Sequence, residues 1–125
     1  MASRIAHRSG RLSVWDVVRV AFPFADSDVR RNRPGLVISV SEVDERFGVV
    51  WVLMITSAGR SPWPGDVPIS DLSGAGLPVP CVIRTEKIAT IDARYAQPAG
   101  CLAECDRAPV IASMRRILSA ALPNS

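Results

Sequence analysis

The residues with the clearest chemical potential are an arginine and a glutamate two positions apart, Arg84 and Glu86, in a strand-like segment. Successive side chains of a β-strand point to opposite faces, so these two are expected on one face while Thr85 points the other way. An acid and an arginine side by side can hold an anion and handle a proton. The same spacing also suits an ordinary surface salt bridge, which contributes little to stability.

Two more polar groups lie where apolar segments begin or end. Thr56 and Ser57 close a long apolar run, where their hydroxyls can either cap the strand or bind an oxyanion. The cluster Arg30-Arg31-Asn32-Arg33 lies between two apolar segments, in the most basic stretch of the chain after its first residues. It is either an anion-contacting patch or a solvated loop tip.

The overall charge is modest, but its type is informative. Fifteen Lys and Arg residues against twelve Asp and Glu give +3 over 125 residues, and fourteen of the fifteen are arginine. A guanidinium pairs with phosphate through two parallel hydrogen bonds. The bias is consistent with a phosphate-bearing partner, although a genome-wide preference for arginine would give the same composition.

Several classes of chemistry are disfavoured. His7 is the only histidine and lies in the N-terminal tail, so no Ser-His-Asp or Cys-His site is expected in the domain. Cys81, Cys101 and Cys105 are too few for a structural zinc site, and we interpret them as reduced, apolar fillers. No glycine-rich phosphate loop precedes a helix. We therefore expect no metal and no cofactor.

The chain length and hydropathy indicate one folded domain. We predict a flexible basic tail over residues 1–12 and a single domain over residues 13–125. There is no secretory signal, and no apolar run approaches the roughly 20 residues of a membrane span. The expected location is the cytoplasm, with no membrane partner.

Apolar patterning predicts mainly β structure. Strands are expected over residues 14–22, 34–40 and 47–56, the third being central because it is nearly all apolar. Residues 79–84 and 87–92 are two strands or one long bent strand, and residues 100–102 a last pairing. One C-terminal helix, capped by Asp106 or a neighbour, follows from the stripe Val110, Ile111, Met114, Ile117, Leu118 and Ala121. Short strands separated by turns favour a barrel or a sandwich.

Taken in order, these segments resemble the MazF/PemK family of toxin endoribonucleases from about residue 14 to residue 122. The matching stretches are residues 15–24, 33–39, 55–57, 65–69 and 76–92. None is specific alone, but five in this order and spacing are. One departure is Trp15, which replaces a glycine that commonly precedes Asp-Val in the first strand.

The resemblance implies an SH3-like β-barrel of the MazF/PemK/CcdB-like kind with a C-terminal helix. It also implies a homodimer that cleaves single-stranded RNA without metal, and an antitoxin whose acidic, disordered segment occupies the RNA groove. Two other interpretations stay open: a non-catalytic SH3-like binding module, and a toxin directed at gyrase.

The resemblance also assigns the site. It places Arg33, Thr56, Ser57 and Arg84 on the family's catalytic positions, and Glu86 where many members have aspartate. The predicted RNA contacts are Arg30, Arg31, Arg33, Arg60 and Lys87.

In the mechanism that follows, Glu86 takes the 2′-OH proton, Arg33 and Arg84 hold the phosphate, and the Thr56 and Ser57 hydroxyls donate to its oxygens. The products would carry 2′,3′-cyclic phosphate and 5′-OH ends.

Overall fold

The computed structural model describes residues 11–24, 27–43 and 48–123, with the backbone alone over residues 22–24 and 27–31. Six strands and one α-helix account for most of this part. The strands are β1 (Asp16–Phe24), β2 (Ser27–Glu42), β3 (Gly48–Ser57), β4 (Val67–Pro68), β5 (Cys81–Asp92) and β6 (Ala96–Cys101), and the helix is α1 (Arg107–Leu118). Short 3₁₀ turns precede β6 and α1.

The strands form one antiparallel sheet in the order β4-β5-β3-β2-β1-β6. Within the described residues no pairing joins β4 to β6, so the sheet is open rather than closed by hydrogen bonds into a barrel. The predicted mainly β fold with a C-terminal helix is confirmed. None of the described helices has the length and apolar character to cross a membrane.

Strand β3 lies in the middle of the sheet and is covered on both faces, as its apolar sequence predicts. Leu53 and Ile55 belong to one buried cluster, whereas Val50, Val52 and Met54 belong to another. This alternation is the side-chain period of a strand. A central strand with two buried faces fixes its own register, because a slip by one residue would exchange the two faces.

The basic segment after β1 is part of a strand rather than a loop tip. Its backbone from Ser27 onward belongs to β2, with Arg33 opposite Val20 and Arg31 opposite Phe22. Ladder pairing satisfies the backbone N–H and C=O groups of polar residues as well as those of apolar ones, and side-chain polarity does not reveal this. The side chains of Arg30 and Arg31 lie outside the described part.

Strand β5 is one long strand with an irregularity in its middle. Its pairing with β3 passes from Leu53 opposite Ile88 directly to Met54 opposite Arg84. Residues 85–87 of β5 are therefore extra in the ladder, a β-bulge that re-aims the neighbouring side chains. Strict alternation does not hold across this point.

Helix α1 packs on the sheet through Val110, which is fully buried, and Met114. Asp106 occupies the N-cap position of this helix, as predicted, but its side chain makes no capping hydrogen bond. The Asp106 carboxylate instead accepts hydrogen bonds from the backbone N–H and the hydroxyl of Ser70, at 2.9 and 3.0 Å. It therefore fastens the segment after β4 to the start of the helix.

At the N-terminal end, residues 1–10 lie outside the described part. Of the predicted tail, Leu12 is buried in the second cluster, and Arg11 lies 3.3 Å from Glu42. Both residues therefore contact the domain, and the boundary between tail and domain stays a prediction.

Trp15 has a backbone conformation that favours glycine. Its φ is 80°, in the left-handed region, where a Cβ atom costs roughly 1–2 kcal/mol. Two backbone hydrogen bonds hold it there, one to the carbonyl of Val37 at 2.8 Å and one from the N–H of Leu102 at 2.9 Å. The guanidinium of Arg107 lies over its ring. The position therefore retains the geometry of a glycine although it carries a tryptophan.

Alanine usually makes a folded chain more stable than glycine does, and the left-handed backbone at position 15 should reverse this order. Both Trp15→Ala and Trp15→Gly remove the indole, but only alanine keeps the left-handed strain, so the glycine variant should be more stable by about 1 kcal/mol. Urea unfolding of the two variants measures the difference. At Thr90, an exposed residue of β5, the same pair of substitutions should show alanine as the more stable. If alanine were the more stable variant at both positions, the result would contradict the backbone strain at Trp15.

Candidate functional site

Predicted site residues line an open cavity of about 300 Å³ beside the C-terminal end of β3 and the middle of β2. The cavity brings together Arg33, Thr56, Ser57 and Arg60. Its walls are completed by Arg19, Asn32, Pro34, Ile55, Leu77, Pro78, Val79 and Cys81. None of the described residues that line it is acidic, so this part of the surface is suited to an anion.

The register of the sheet explains why residues far apart in sequence meet there. Gly35 of β2 pairs with Met54 of β3, and Arg33 and Thr56 each lie two residues beyond that pair, toward the same end. On the other side of β2, Pro34 pairs with Arg19 of β1. The three strands thus place two arginines and a threonine around one opening.

Arg19 is a cavity residue that sequence reasoning missed. It lies between Val18 and Val20, both buried, so its position in an apolar strand was the available signal. Burial raises the pKa of the Cys81 thiol, and the nearby positive charge of Arg19 lowers it by a smaller amount. Because the thiol is protonated near neutrality, it adds no negative charge to the cavity.

Arg84 lies outside the lining of this cavity, where its side chain is only 10% exposed. Its guanidinium donates from Nε and Nη2 to the two carboxylate oxygens of Asp66, at 3.3 and 3.2 Å. Nη2 also donates to the backbone carbonyl of Ser61 at 2.9 Å. The ring of Trp63 lies 4.5 Å from the guanidinium carbon. Arg84 is therefore held by the segment that follows β3.

That segment contains a tight turn over residues 63–66. Asp66 N–H donates to the carbonyl of Trp63, Pro64 takes the second position and Gly65 the third with a φ of 81°. These are the residues and the positive φ of a type II turn. The Asp66 carboxylate also accepts from the Trp63 N–H at 2.9 Å, so one carboxylate closes the turn and binds Arg84.

Glu86 has a different neighbour from Arg84. Its carboxylate lies 3.5 Å from the guanidinium of Arg116 on α1, and its side chain is 36% exposed. Between them, the Thr85 hydroxyl donates to the carbonyl of Gly65 at 2.8 Å, next to the partner of Arg84. The bulge explains this arrangement, in which Arg84 and Thr85 contact one segment whereas Glu86 contacts the helix. Lys87, also within the bulge, is exposed and lies outside the cavity lining.

A second concave surface runs along α1 and is almost entirely apolar. Val14, Trp15, Ile38, Trp51 and Met114 line it, together with Val110, Ile111, Leu118, Leu122 and Pro123, and Arg115 supplies its one charged side chain. Its volume, about 390 Å³, exceeds that of the arginine-lined cavity. An apolar lining offers few donors to an anion, so the candidate site is the smaller cavity.

Comparison with known proteins identifies the family of this chain. A sequence model described as "PemK-like, MazF-like toxin of type II toxin-antitoxin system" matches residues 13–118. The chain belongs to this family. Comparison with curated proteins finds no match.

Solved structures of other family members have the same fold. MazF of Deinococcus radiodurans (form I) is 18% identical, with a TM-score of 0.63, over 86% of this chain and 96% of that one. A MazE-MazF structure from the same organism (form II) is 17% identical, with a TM-score of 0.60, over 86% and 94%. The Mycobacterium tuberculosis toxin MazF-mt6 is 19% identical, with a TM-score of 0.59, over 82% and 95%. At these identities the likeness shows the fold alone.

The contribution of the Arg84–Asp66 pair to the free energy of unfolding can be tested by mutation. Replacing Arg84 with methionine leaves the Asp66 carboxylate, whose side chain is 11% exposed, without its cation. Breaking a buried pair in this way costs about 3–5 kcal/mol, which urea unfolding at neutral pH would measure.

Two further variants distinguish the loss of this buried pair from the effect of removing any arginine. Arg94→Met breaks an exposed pair with Asp92 and should leave the free energy of unfolding close to that of the wild type. The double variant Arg84→Met/Asp66→Leu should recover part of the loss, because no buried charge is left without a partner. An Arg84→Met variant as stable as Arg94→Met would contradict the role given to the pair.

Proposed function

We propose that this chain is a metal-independent, sequence-selective endoribonuclease that cleaves single-stranded RNA as the toxin of a toxin-antitoxin pair. The observation that supports this most is the arginine-lined cavity. It combines Arg33, Arg19 and Arg60 with the hydroxyls of Thr56 and Ser57, and no carboxylate is found among its lining residues in the part of the chain that the structure describes. Membership of a toxin family whose members are ribonucleases supports the same activity.

The reaction requires charge stabilisation around one phosphate. The 2′-OH attacks the adjacent phosphorus and loses its proton to a base, and the bond from phosphorus to the 5′ oxygen breaks as that oxygen takes up a proton. The intermediate carries extra negative charge on its equatorial oxygens, which fixed donors stabilise. In the proposal Arg33 pairs with these oxygens, and Thr56 and Ser57 donate hydrogen bonds to them. The products have 2′,3′-cyclic phosphate and 5′-OH ends.

The roles of Glu86 as the base and of Arg84 as a second phosphate ligand stay predictions. Glu86 is accessible at 36% exposure, next to Arg116. Arg84 would have to exchange the Asp66 carboxylate for a phosphate oxygen in order to bind RNA directly. The two residues therefore need separate tests.

Partners follow from the same proposal. The MazE-MazF structures among the similar folds support an antitoxin partner, whose acidic segment would compete with RNA for a cavity lined by arginine. The homodimer and the cytoplasmic location implied above stay predictions, as do the RNA contacts of Arg30, Arg31 and Lys87.

Cleavage in the presence of EDTA tests the activity. The purified chain should cut a long single-stranded RNA with EDTA present, and a 2′-deoxy nucleotide at the mapped cut site should block the reaction. Arg33→Ala should slow single-turnover cleavage by about 100- to 1,000-fold, because it removes a donor to the charged intermediate. Arg94→Ala, an exposed arginine outside the cavity, is the matched control.

If Arg33→Ala kept full activity, the cavity would not be the site that binds the reacting phosphate. An RNA left intact by the wild type would contradict the nuclease and favour a binding module or a gyrase-directed toxin.

Glu86→Gln tests the proposed base. If Glu86 accepts the 2′-OH proton, the amide should lower the single-turnover rate by about 100-fold or more, with RNA affinity unchanged. Arg116→Met removes the partner of Glu86 but keeps its carboxylate, and it should leave most of the activity. Equal losses in the two variants would assign Glu86 to the ion pair, and an unchanged rate in Glu86→Gln would exclude it as the base.

A further inference from the structure

Trp63 combines exposure with a fixed position. The residue is 41% exposed although it lies directly over the guanidinium of Arg84, which is 4.5 Å from the ring centroid. Because Arg84 covers one face of the ring, the exposed area belongs to the other face and to the ring edge. Large aromatic surfaces of this kind are typical of binding sites rather than of loops that only connect strands.

The chain around Trp63 holds the ring in place before any ligand binds. The Pro64-Gly65 turn is closed by the hydrogen bond from Asp66 N–H to the Trp63 carbonyl, and the Asp66 carboxylate accepts from the Trp63 N–H. The same carboxylate binds Arg84 beneath the ring. Because the turn and the arginine restrict the ring in advance, binding there costs little additional ordering entropy.

Trp63 is also close in sequence to the arginine-lined cavity. Arg60 lines that cavity and precedes Trp63 by three residues, a separation of at most about 11 Å along an extended chain. Ser61, between them, supplies the carbonyl that accepts from Arg84. A strand of RNA with one phosphate in the cavity therefore has neighbouring nucleotides within reach of the ring.

We propose that Trp63 is a stacking platform for an unstacked base of single-stranded RNA, adjacent to the phosphate held in the cavity. The proposal rests on the proposed function and names a base-binding position beside its site. Unpaired bases stack on aromatic side chains whatever their sequence, since every base presents a π face. Arg84 is then a positioning residue that acts through the ring, which agrees with its low exposure.

The surroundings favour RNA over a protein segment at this ring. Among the described residues, three arginines and no acid line the neighbouring cavity, which suits a chain that carries a phosphate at every nucleotide. The surface suited to an apolar peptide is the groove along α1, which shares no lining residue with the cavity. If Trp63 served a protein partner instead, the following experiment would show no dependence of RNA binding on the bases.

The test measures binding of oligonucleotides that cannot be cleaved. Two 2′-O-methyl 12-mers, one of adenines and one of uracils, are compared with an abasic 12-mer of equal charge. The wild type should bind the base-bearing 12-mers about tenfold or more tightly than the abasic one, the effect of stacking one base. Trp63→Leu should abolish this difference without weakening abasic binding, and Trp63→Phe should retain most of it.

Trp51→Leu is the matched control, because Trp51 is 47% exposed and lines the apolar groove instead. It should bind all three 12-mers as the wild type does. An unchanged base-dependent difference in Trp63→Leu would overturn the platform, as would an equal loss of affinity for base-bearing and abasic 12-mers. Neither result depends on cleavage, so failure of the platform and failure of the nuclease in the EDTA assay are separate outcomes.

Discussion

The buried pair between Arg84 and Asp66 determines the shape of the chain between β3 and β4. Residues 57–64 are all exposed, so none of them belongs to the buried apolar core that holds the strands together. One guanidinium instead binds the Asp66 carboxylate, the Ser61 carbonyl and the face of Trp63. A charge this far removed from water requires its partners in place, so the pair specifies one conformation of the segment even where it adds little net stability.

The bulge in β5 extends this constraint to the C-terminal helix. Three consecutive residues contact three partners: Arg84 binds Asp66, Thr85 donates to the Gly65 carbonyl, and Glu86 lies beside Arg116. A regular strand would turn the middle residue to the opposite face. A Cβ atom on Gly65 would lie 2.7 Å from the Thr85 hydroxyl and 2.8 Å from the Arg116 guanidinium, so the turn and the helix meet closely. The turn, strand and helix therefore form one connected unit beside the cavity.

The features of the fold that could be predicted from the sequence are those with a signal in neighbouring residues. The apolar runs predicted β3 as the central strand, and the apolar stripe predicted α1, because burial periodicity is a property of the segment itself. The site followed only in part. Thr56 could be recognised at a strand end through the family resemblance, whereas Arg19 looked like an ordinary strand residue until the register placed it beside Pro34. The partner of Arg84 lies eighteen positions away, and no local pattern selects one acid among twelve. The expected alternation of side chains between the two faces also failed at residues 85–87, because that expectation assumes a strand without a bulge.

The same pair has an electrostatic consequence for the cavity. Asp66 is the only acid in the segment between β3 and β4, and this segment also carries Arg60, which lines the cavity. An unpaired carboxylate there would weaken the attraction of the cavity for phosphate, since interactions between charges separated by less than about 10 Å are poorly screened. Paired with Arg84, it forms a nearly neutral unit, and the positive potential of Arg19, Arg33 and Arg60 is preserved. Arg84 can thus favour anion binding without contacting the anion, by neutralising the carboxylate that closes the turn.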